Sequence, residues 1–317
     1  MAEAVLEVEE LRTHFRRGGG LGRGRWLRAV DGVSLLVRTH ETVALVGESG
    51  SGKTTLGRSV LRLIEPTSGH IRLHGQDITR LSQRALRPLR SRMQIVFQNP
   101  YASLNPRRTI GAIIAQPLAL HRPDADRHAG VAALLERVGL FPDAARRYPH
   151  EFSGGQRQRI AIARALATRP DLVVADEITS GLDVSVKLRV LALLRELQSE
   201  LGLAYLFISH DLAVVRQIAD RVAVMYLGIV VEEAPTVALF QQPRHPYTQL
   251  LRASVPPPDP AIAWSPPLLP GEAASALSIP GGCRFHPRCP LAEARCRAEI
   301  PTLREVAPGH RVACHLA

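Results

Sequence analysis

The chain lacks any apolar run long enough to cross a membrane. A spanning helix needs about 18 consecutive apolar residues, and the best candidates, residues 109–120 and 222–231, are shorter than that. The first ten residues include four glutamates and lack the basic-then-apolar order of a signal peptide. We therefore expect a protein that stays in the cytoplasm and does not enter the bilayer itself.

Aromatic residues are also scarce, at 4% of the 317 residues. This scarcity argues against a surface on which nucleic-acid bases stack. The formal net charge is nevertheless +11 and the pI about 10.4, and a basic surface suits nucleic acid, anionic lipid headgroups or nucleotide phosphates. Arginines are scattered along the chain, with one Arg/Gly-rich stretch at residues 16–25 that we predict to be a hairpin tip. Charge alone leaves the three alternatives open.

The chain does contain a glycine-rich loop between a predicted strand and a predicted helix. The stretch from Gly47 to Thr55 fits the pattern G-x-x-x-x-G-K-[ST], after an apolar run at 43–46 and before helical spacing at 56–64. We expect backbone N–H groups and the helix N-terminus to bind phosphates, Lys53 to reach the β- and γ-phosphates, and the Thr54 hydroxyl to hold Mg²⁺. The predicted nucleotide-binding residues of this loop are Gly47, Ser49, Gly50, Ser51, Gly52, Lys53, Thr54 and Thr55.

Three later strands lead to polar side chains that suit nucleotide hydrolysis. An apolar run at residues 172–176 ends in Asp176 and is followed directly by Glu177. The first carboxylate can hold Mg²⁺, and the second can orient and deprotonate a water molecule. A predicted strand at 204–208 leads to His210, and one at 94–97 leads to Gln98. Glu177 and His210 together argue against a purely regulatory nucleotide binder.

Residues 99–164 have apolar residues at helical spacing and predict a helical insert between two strands. The insert ends in the sequence SGGQ, with Ser153 at the N-cap position of the next predicted helix. Gly154 and Gly155 leave backbone N–H groups free to face an anion. We expect four prolines to interrupt the helices of the insert: Pro117, Pro123, Pro142 and Pro149.

Taken together, these motifs resemble those of an ATP-binding cassette (ABC) ATPase, over about residues 4–240. The resemblance implies an α/β P-loop NTPase fold, in which a RecA-like core carries an antiparallel β subdomain and an α-helical subdomain. We expect the ABC ATPase domain at residues 1–255, with the helical subdomain at about 99–164. In this family two cassettes close face to face on two ATP molecules, so that each signature completes the partner's site.

The resemblance also assigns roles to residues. Glu177 would be the general base, and His210 and Gln98 would sense the γ-phosphate, with Gln98 also a ligand of Mg²⁺ beside Thr54 and Asp176. Phe15 would stack on adenine, with Trp26 as the second candidate. The residues that would contact ATP from the signature and the D-loop are Ser153, Gly154, Gly155, Gln156 and Asp183.

Three further stretches, residues 95–106, 245–248 and 282–290, resemble the oligopeptide/dipeptide importer ATPases, in particular the F-type subunit. This implies ATP-driven uptake of di- or oligopeptides, or of a related cargo such as glutathione or nickel. It implies four partners: a paralogous D-type ABC ATPase in a heterodimer, two transmembrane permeases, and an extracellular or periplasmic substrate-binding protein. The chain would lie peripherally on the cytoplasmic side of the membrane, with no nucleic acid. The alternative is a non-transport ABC ATPase that acts on nucleic acid or ribosomes.

Three residues depart from the family pattern. The family usually has Pro where Ile178 stands, Ala at Gly181 and Asp at Asn99. None of these positions supplies a phosphate or metal ligand, so ATP binding is still expected. A glycine loosens the D-loop, and Ile178 frees a backbone angle that Pro would fix, so turnover can differ from that of relatives.

All four cysteines lie near the C-terminus, after a predicted Pro-rich linker that opens a C-terminal extension at residues 256–317. Their spacing is C-x5-C-x6-C-x17-C. Structural disulfides are rare in the cytoplasm, and four thiolates can hold zinc or an iron–sulfur cluster. Related importer ATPases carry a [4Fe–4S] cluster at a similar motif, and this resemblance favours a cluster over Zn²⁺ or free thiols. His286 and His315 could replace a thiolate, but we expect them to be bystanders. The predicted cluster ligands are Cys283, Cys289, Cys296 and Cys314.

Overall fold

A computed structural model describes residues 3–17, 25–122, 124, 126–255, 264–265 and 275–317. Most of the predicted basic tip and of the Pro-rich linker lies outside the described residues. The strands are β1 (Ala4–Arg17), β2 (Arg25–Arg38), β3 (Thr42–Val46), β4 (Ser68–Leu73), β5 (Gln76–Asp77), β6 (Met93–Val96), β7 (Leu172–Asp176), β8 (Ala204–Ile208), β9 (Arg221–Tyr226), β10 (Ile229–Pro235), β11 (Arg304–Ala307) and β12 (His310–Val312).

The helices follow the predicted alternation with strands, and short 3-10 turns begin at Leu89, Pro142, Pro149 and His286. The helices are α1 (Lys53–Val60), α2 (Gln83–Leu86), α3 (Pro100–Ser103), α4 (Ile110–His121), α5 (Arg127–Arg137), α6 (Gly154–Leu166), α7 (Val184–Leu201), α8 (Leu212–Ile218), α9 (Thr236–Gln241), α10 (Pro246–Ala253) and α11 (Ala294–Ala298). No helix within the described ranges combines the length and the apolar character that a membrane span requires.

The chain divides into two compact units. The helical unit comprises Met1–Leu6, Val37–Glu41 and Arg80–Phe207, and the P-loop unit comprises Glu7–Leu36, Thr42–Thr79 and Ile208–Ala317. The boundary cuts through β1, β2 and β8. Each unit is therefore built from segments that are far apart in the sequence.

In the helical unit, β7 lies between β8 and β6, and β6 pairs with β7 in parallel, with Met93 opposite Leu172. The predicted helical insert is present as α3 to α6, and α4, α5 and α6 pack on one another. Ile110, Ile114 and Leu135 are fully buried there. The apolar spacing of the sequence is thus explained by one helical core.

The prediction that Pro117 interrupts the insert is wrong, because α4 continues through it from Ile110 to His121. A proline removes one N–H and crowds the preceding turn, which disfavours a helix interior. Here the buried side chains of Ile113, Ile114 and Leu118 flank the proline on both sides. Their packing outweighs the local penalty. Pro142 and Pro149, in contrast, do stand at the start of 3-10 turns.

The P-loop unit contains a sheet in the order β11-β12-β10-β9-β3, in which β3 runs parallel to β9 and the remaining pairs are antiparallel. A four-stranded sheet in the order β2-β1-β4-β5 lies mainly in the same unit. The predicted hairpin of β9 and β10 is present, with Ile229 opposite Tyr226. Every residue of β3 is buried, and the chain passes from the end of this strand directly into the glycine-rich loop.

The C-terminal segment, defined here as residues 275–317, joins the core of the P-loop unit. Its strand β12 pairs with β10, with Val312 opposite Glu232. Phe285 is buried in one apolar cluster with Tyr226 and Tyr247. The two short strands of this segment are not predicted from the sequence, because neither shows an apolar alternation long enough to recognise. The segment therefore has more than its cysteines to hold it in place.

Candidate functional site

The predicted phosphate-binding loop follows β3, and two of its glycines are required by close backbone contacts. Gly47 has φ 149°, and a Cβ there would lie 2.1 Å from the Met225 carbonyl oxygen. Gly52 has φ 106°, and its Cβ would lie 2.0 Å from the Ala29 carbonyl oxygen. Gly52 also precedes α1 in the left-handed region and provides no side-chain cap. The first backbone N–H groups of α1 therefore face the loop, as an anion site requires.

Lys53 is only 4% exposed and folds back over the loop. Its Nζ donates to the carbonyl oxygens of Gly47 at 2.7 Å and of Glu48 at 2.8 Å, and lies 3.4 Å from the Ser51 hydroxyl. These are weakly charged acceptors that phosphate oxygens can replace. The structure thus places the ammonium at the loop, with Ser49 and Gly50 exposed and Thr54 and Thr55 half-buried beside it.

Residues far from the loop in sequence hold it from the outside. The Glu48 backbone N–H donates to the Tyr247 hydroxyl at 2.8 Å. The Arg288 guanidinium donates to both carboxylate oxygens of Glu48, at 2.9 and 3.2 Å. The Gly228 N–H donates to the Ser51 carbonyl at 2.9 Å. The loop is therefore supported by α10, by the C-terminal segment and by the β9–β10 turn.

The aromatic cluster behind these contacts is buried. Phe285 packs edge-on against Tyr226, with ring centroids 5.3 Å apart, and lies 5.3 Å from Tyr247. Burial raises the pKa of both tyrosines. The hydroxyl of Tyr247 therefore remains protonated, and it accepts from the Glu48 backbone as a neutral group.

In the helical unit, the structure brings Gln98 and Glu177 together. The Gln98 side-chain amide donates to a Glu177 carboxylate oxygen at 2.8 Å. Asp176, at the end of β7, is 3% exposed. Glu177 follows it with φ 49°, outside the strand and half-buried. The turn after β7 thus separates a buried carboxylate, suited to a metal, from a more accessible one, suited to a base.

The signature residues form a capping box at the start of α6. The Gln156 N–H donates to the Ser153 hydroxyl at 3.3 Å, and the Ser153 N–H donates to the Gln156 side chain at 2.9 Å. Gly155 lies so close to α7 that a Cβ would be 2.4 Å from Val186 Cγ1. Ser153 and Gln156 are exposed. The cap is therefore held by its own neighbours and faces solvent, where a second molecule can reach it.

Two other predicted residues stand at helix starts. Asp183 occupies the N-cap position of α7, where it is exposed and its side chain makes no capping hydrogen bond within the described residues. His210 is exposed between β8 and α8. Its neighbours fix the backbone there, because Ser209 N–H donates to the Leu45 carbonyl at 3.2 Å and Asp211 caps α8. Gly181, just before Asp183, has φ 72°, which suits glycine.

The two adenine-stacking candidates both present accessible rings in the P-loop unit. Phe15, near the end of β1, is 37% exposed, and Trp26, near the start of β2, is 55% exposed. Other aromatic side chains are exposed as well, among them Tyr101 and Phe141, so exposure alone does not mark an adenine site. The exposure of Phe15 and Trp26 does not distinguish which of the two rings stacks on adenine.

The four cysteines are brought together in the C-terminal segment. The Cys283 N–H donates to the Cys296 carbonyl at 2.8 Å. Burial raises the pKa of the Cys283 thiol, and the other three thiols are near enough to raise it further. Within the ranges that the structure describes, however, no three His, Cys, Asp or Glu side chains converge as a site for one metal ion.

Sequence reasoning missed the residues that support the site from a distance. Arg288 contacts a loop residue 240 positions earlier in the sequence, and Tyr247 contacts the same residue 199 positions earlier. No local sequence pattern predicts either contact. The Arg157 guanidinium stacks on the Tyr101 ring at 3.7 Å and donates to the Pro149 carbonyl at 2.6 Å. These contacts connect the segment after Gln98 to α6. The one signal in the sequence was Glu48 itself. An acidic residue inside a phosphate-binding loop needs a neutralising cation, and this need predicts a basic partner without saying which residue it is.

Comparison with known proteins identifies the family. Residues 30–180 match the family described as ABC transporter, and residues 231–296 match the oligopeptide/dipeptide transporter C-terminal region. A probable peptide ABC transporter ATP-binding protein of Sinorhizobium fredii is 52% identical over 100% of this chain and 91% of its own length. The chain belongs to the ABC transporter ATPases. The oligopeptide transport ATP-binding protein AppF of Bacillus subtilis is 49% identical over 99% of this chain and 98% of its own.

Solved ABC structures share the fold. cbiO1 of Clostridium perfringens, part of the ABC transporter complex cbiONQ, has a TM-score of 0.66 and 28% identity over 76% of this chain and 92% of its own. The ATP-binding cassette MJ0796, solved as a dimer bound to ADP and Pi, has a TM-score of 0.66 and 28% identity over 73% of this chain and 98% of its own. The predicted α/β ABC fold is confirmed, and with it an ATPase that uses ATP and Mg²⁺.

Proposed function

We propose that this ABC ATPase hydrolyses ATP to power the import of di- or oligopeptides, or of a related small cargo, across the cytoplasmic membrane. The observation that carries the proposal is the match of residues 231–296 to the C-terminal region of oligopeptide/dipeptide transporters. Relatives named as peptide transport ATP-binding proteins, alignable over nearly the whole chain, support it. A non-transport role on nucleic acid is less well supported, since none of these relatives is named for one.

The site residues take the following roles in the proposal. Lys53 exchanges its loop carbonyls for β- and γ-phosphate oxygens, and Thr54, Asp176 and Gln98 hold Mg²⁺. Glu177 accepts a proton from the attacking water, which Gln98 helps to place through the 2.8 Å contact between them. The remaining proposed contacts to ATP come from the glycine-rich loop, His210 and Phe15 of this chain, and from Ser153, Gly154, Gly155, Gln156 and Asp183 toward the partner's ATP.

The exposed signature motivates the partner proposal. A helix start with free N–H groups, capped by its own residues and open to solvent, is suited to a phosphate that a second cassette presents. We assign that cassette to a paralogous, D-type ATPase in a heterodimer. Two permeases and an extracellular or periplasmic substrate-binding protein complete the importer, and the chain lies peripherally on the cytoplasmic face.

The C-terminal residues 256–317 form the transporter-type extension in this proposal, and Cys283, Cys289, Cys296 and Cys314 hold a [4Fe–4S] cluster. Four neighbouring thiols in a segment that also packs on the core support it. When bound, the cluster supplies a cross-link among four positions of the segment. Phe285 and β12 anchor the segment to the core whether or not iron is present.

Capture of the assembled importer tests the function. Full-length chain carrying Glu177→Gln is trapped with ATP and Mg²⁺ and recovered from detergent-solubilised native membranes, and the co-purifying proteins are identified by mass spectrometry. We expect two polytopic permeases and a second, non-identical ABC ATPase. The matched control adds Lys53→Ala, which removes the phosphate contact and should release the second ATPase. Recovery only from the soluble fraction, with RNA, DNA or ribosomes, would overturn the importer proposal.

Turnover of the same variant tests the role of Glu177. Loss of the base should lower ATP hydrolysis by about 10²–10⁴-fold while ATP binding is retained. Glu200→Gln, an exposed carboxamide substitution in the same unit, serves as the control. Unchanged hydrolysis by Glu177→Gln would remove Glu177 from the role of base.

Metal analysis tests the cluster. Protein purified without oxygen is assayed for iron, acid-labile sulfide and zinc, alongside the Cys289→Ser variant. We expect iron and sulfide in the native chain and a loss of both in the variant. Zinc without iron would replace the cluster with a zinc site, and the absence of both metals would overturn a metal role for the cysteines.

A further inference from the structure

An acidic side chain stands in the second position of the phosphate-binding loop. The Glu48 carboxylate belongs to the same loop whose backbone N–H groups and Lys53 receive the phosphates of ATP. A negative charge next to bound phosphates repels them, and the repulsion grows where water is excluded. The side chain of Glu48 is only 27% exposed, so solvent screens it incompletely. The loop therefore needs a positive charge to neutralise this carboxylate.

Arg288 supplies that charge. Its two terminal nitrogens donate to the two Glu48 carboxylate oxygens at 2.9 and 3.2 Å, in a bidentate arrangement. The Arg288 side chain is 6% exposed, and its Nε is buried without a hydrogen-bond partner among the described residues. The guanidinium thus directs its hydrogen bonds toward the loop. The Glu48 carboxylate in turn raises the pKa of Arg288, so the cation is permanent.

The C-terminal segment fixes Arg288 in this position. The Arg288 backbone N–H donates to the Phe285 carbonyl at 3.0 Å, and Phe285 is 1% exposed in the aromatic cluster. Tyr247, from the same cluster, accepts the Glu48 backbone N–H at 2.8 Å. Both the side chain and the backbone of Glu48 are therefore held by the same buried cluster.

Glu48 connects these contacts to the phosphate-binding lysine. Its carbonyl oxygen accepts from Lys53 Nζ at 2.8 Å. Any shift of Glu48 moves one of the acceptors that hold the ammonium at the loop. Glu48 is therefore the single residue that links Arg288 to Lys53.

We propose that Arg288 is a positioning residue of the nucleotide site: it neutralises Glu48 and holds the phosphate-binding loop in the shape that accepts ATP. The C-terminal segment is thereby a working part of the nucleotide site and acts on ATP affinity more than on the chemical step. A segment that merely adds stability would change folding without changing the affinity of the folded protein for ATP.

Substitution of both charges separates these two possibilities. In the full-length chain, Arg288→Met leaves Glu48 uncompensated and should raise the Kd and KM for ATP by about tenfold, the effect of losing one charged hydrogen-bonded pair. The kcat should change less than KM. Adding Glu48→Gln to Arg288→Met removes the repulsion and should recover part of the affinity, because the contact that holds the loop is still missing. Arg311→Gln, which breaks the ion pair from β12 to Glu233 outside the loop, is the matched control and should leave Kd near that of the native chain.

The single variant Glu48→Gln covers the case in which Arg288→Met does not fold. It removes the negative charge and keeps the arginine, so ATP should bind more tightly than to the native chain. Thermal unfolding of each variant identifies losses that come from folding alone. Native affinity in folded Arg288→Met, a double variant as weak as Arg288→Met, or weaker binding by Glu48→Gln would each overturn the proposal.

Discussion

The phosphate-binding loop of the P-loop unit depends on residues far away in the sequence, whereas the capping box of the signature in the helical unit is closed by its own residues. Carbonyl groups of Ala29 and Met225 crowd the loop glycines, and Tyr247 and Arg288 hold Glu48. The signature closes its own capping box between positions 153 and 156. The two motifs are thus stabilised differently: distant residues hold the phosphate-binding loop, and a local capping box holds the start of the signature helix.

The two motifs should therefore differ in how far the effect of a substitution extends. A loop held by many distant contacts transmits a change in any of them to the phosphates. A self-capped helix start confines a change to its first turn, because the affected N–H groups belong to that turn. We therefore expect substitutions in the P-loop unit to alter both stability and ATP binding, and substitutions at the signature to alter local stability alone within an isolated subunit.

The largest effect is expected for Gly52→Ala. Alanine at φ 106° is strained, and its Cβ would lie 2.0 Å from the Ala29 carbonyl oxygen. Strain and overpacking together should lower the free energy of unfolding by about 4 kcal/mol and abolish ATP binding. Chemical denaturation and ATP titration measure both.

Gly50→Ala is the matched control, since Gly50 has φ 79° and its Cβ would meet nothing within 4 Å. It should cost about 1 kcal/mol from backbone strain alone. Equal losses for the two variants would show that backbone conformation, and not the distant carbonyl, limits the loop.

The next effect is a pH dependence from His245, which caps α10 beside Tyr247. Its Nδ1 accepts from the Tyr247 N–H at 3.0 Å, and burial lowers its pKa to about 4. An unfolded histidine takes up its proton near pH 6.5. Between pH 4 and pH 6.5 the unfolded chain therefore binds more protons than the folded chain. The free energy of unfolding should be intact above pH 6.5 and fall by up to about 3 kcal/mol as the pH drops to 4.

Denaturation of the native chain and of His245→Asn from pH 7.5 to 4.5 checks this. Asparagine keeps an N-cap acceptor but does not titrate, so the difference between the two pH profiles isolates His245. Parallel profiles would contradict the prediction.

The elements of the fold follow from local patterns, and this explains why most of them could be predicted. The buried strands β3 and β7 are apolar runs ended by functional residues, and the insert shows helical spacing. Pro117 was mispredicted because a local penalty was weighed without the packing of Ile114 and Leu118 around it. β11 and β12 were missed because they are held by pairing and not by a local pattern: β12 pairs with β10, about 80 positions earlier in the sequence, and β11 pairs with β12.

The site shows the same division. Gln98, Glu177 and Lys53 were predictable since each belongs to a motif that carries its own chemistry. Arg288 was not, because an arginine among many acquires meaning only when the chain brings it to Glu48. Long-range ion pairs leave no periodic trace in a single sequence, so the support of a motif is harder to predict than the motif.

A smaller effect is expected at Gly155. Its Cβ would lie 2.4 Å from Val186 Cγ1 on α7, so Gly155→Ala should cost about 2 kcal/mol of unfolding free energy through overpacking. Val186→Ala in the same chain should recover most of the loss by making room. Gly154→Ala, whose Cβ would lie 3.8 Å from Leu182, should be tolerated. If Val186→Ala gives no recovery, the glycine is needed for something other than the approach of α7.

The smallest effect is expected at the capping box itself. Ser153→Ala removes the acceptor of the Gln156 N–H and should lower the free energy of unfolding by about 1 kcal/mol. Ser153→Asp keeps a capping acceptor and should retain most of the stability. Both variants should bind ATP like the native chain when the subunit is alone, because the loop of the P-loop unit is untouched. A loss of ATP binding by the isolated Ser153→Ala subunit would contradict the idea that the signature is held locally, since it would require the first turn of α6 to act on the loop of its own chain.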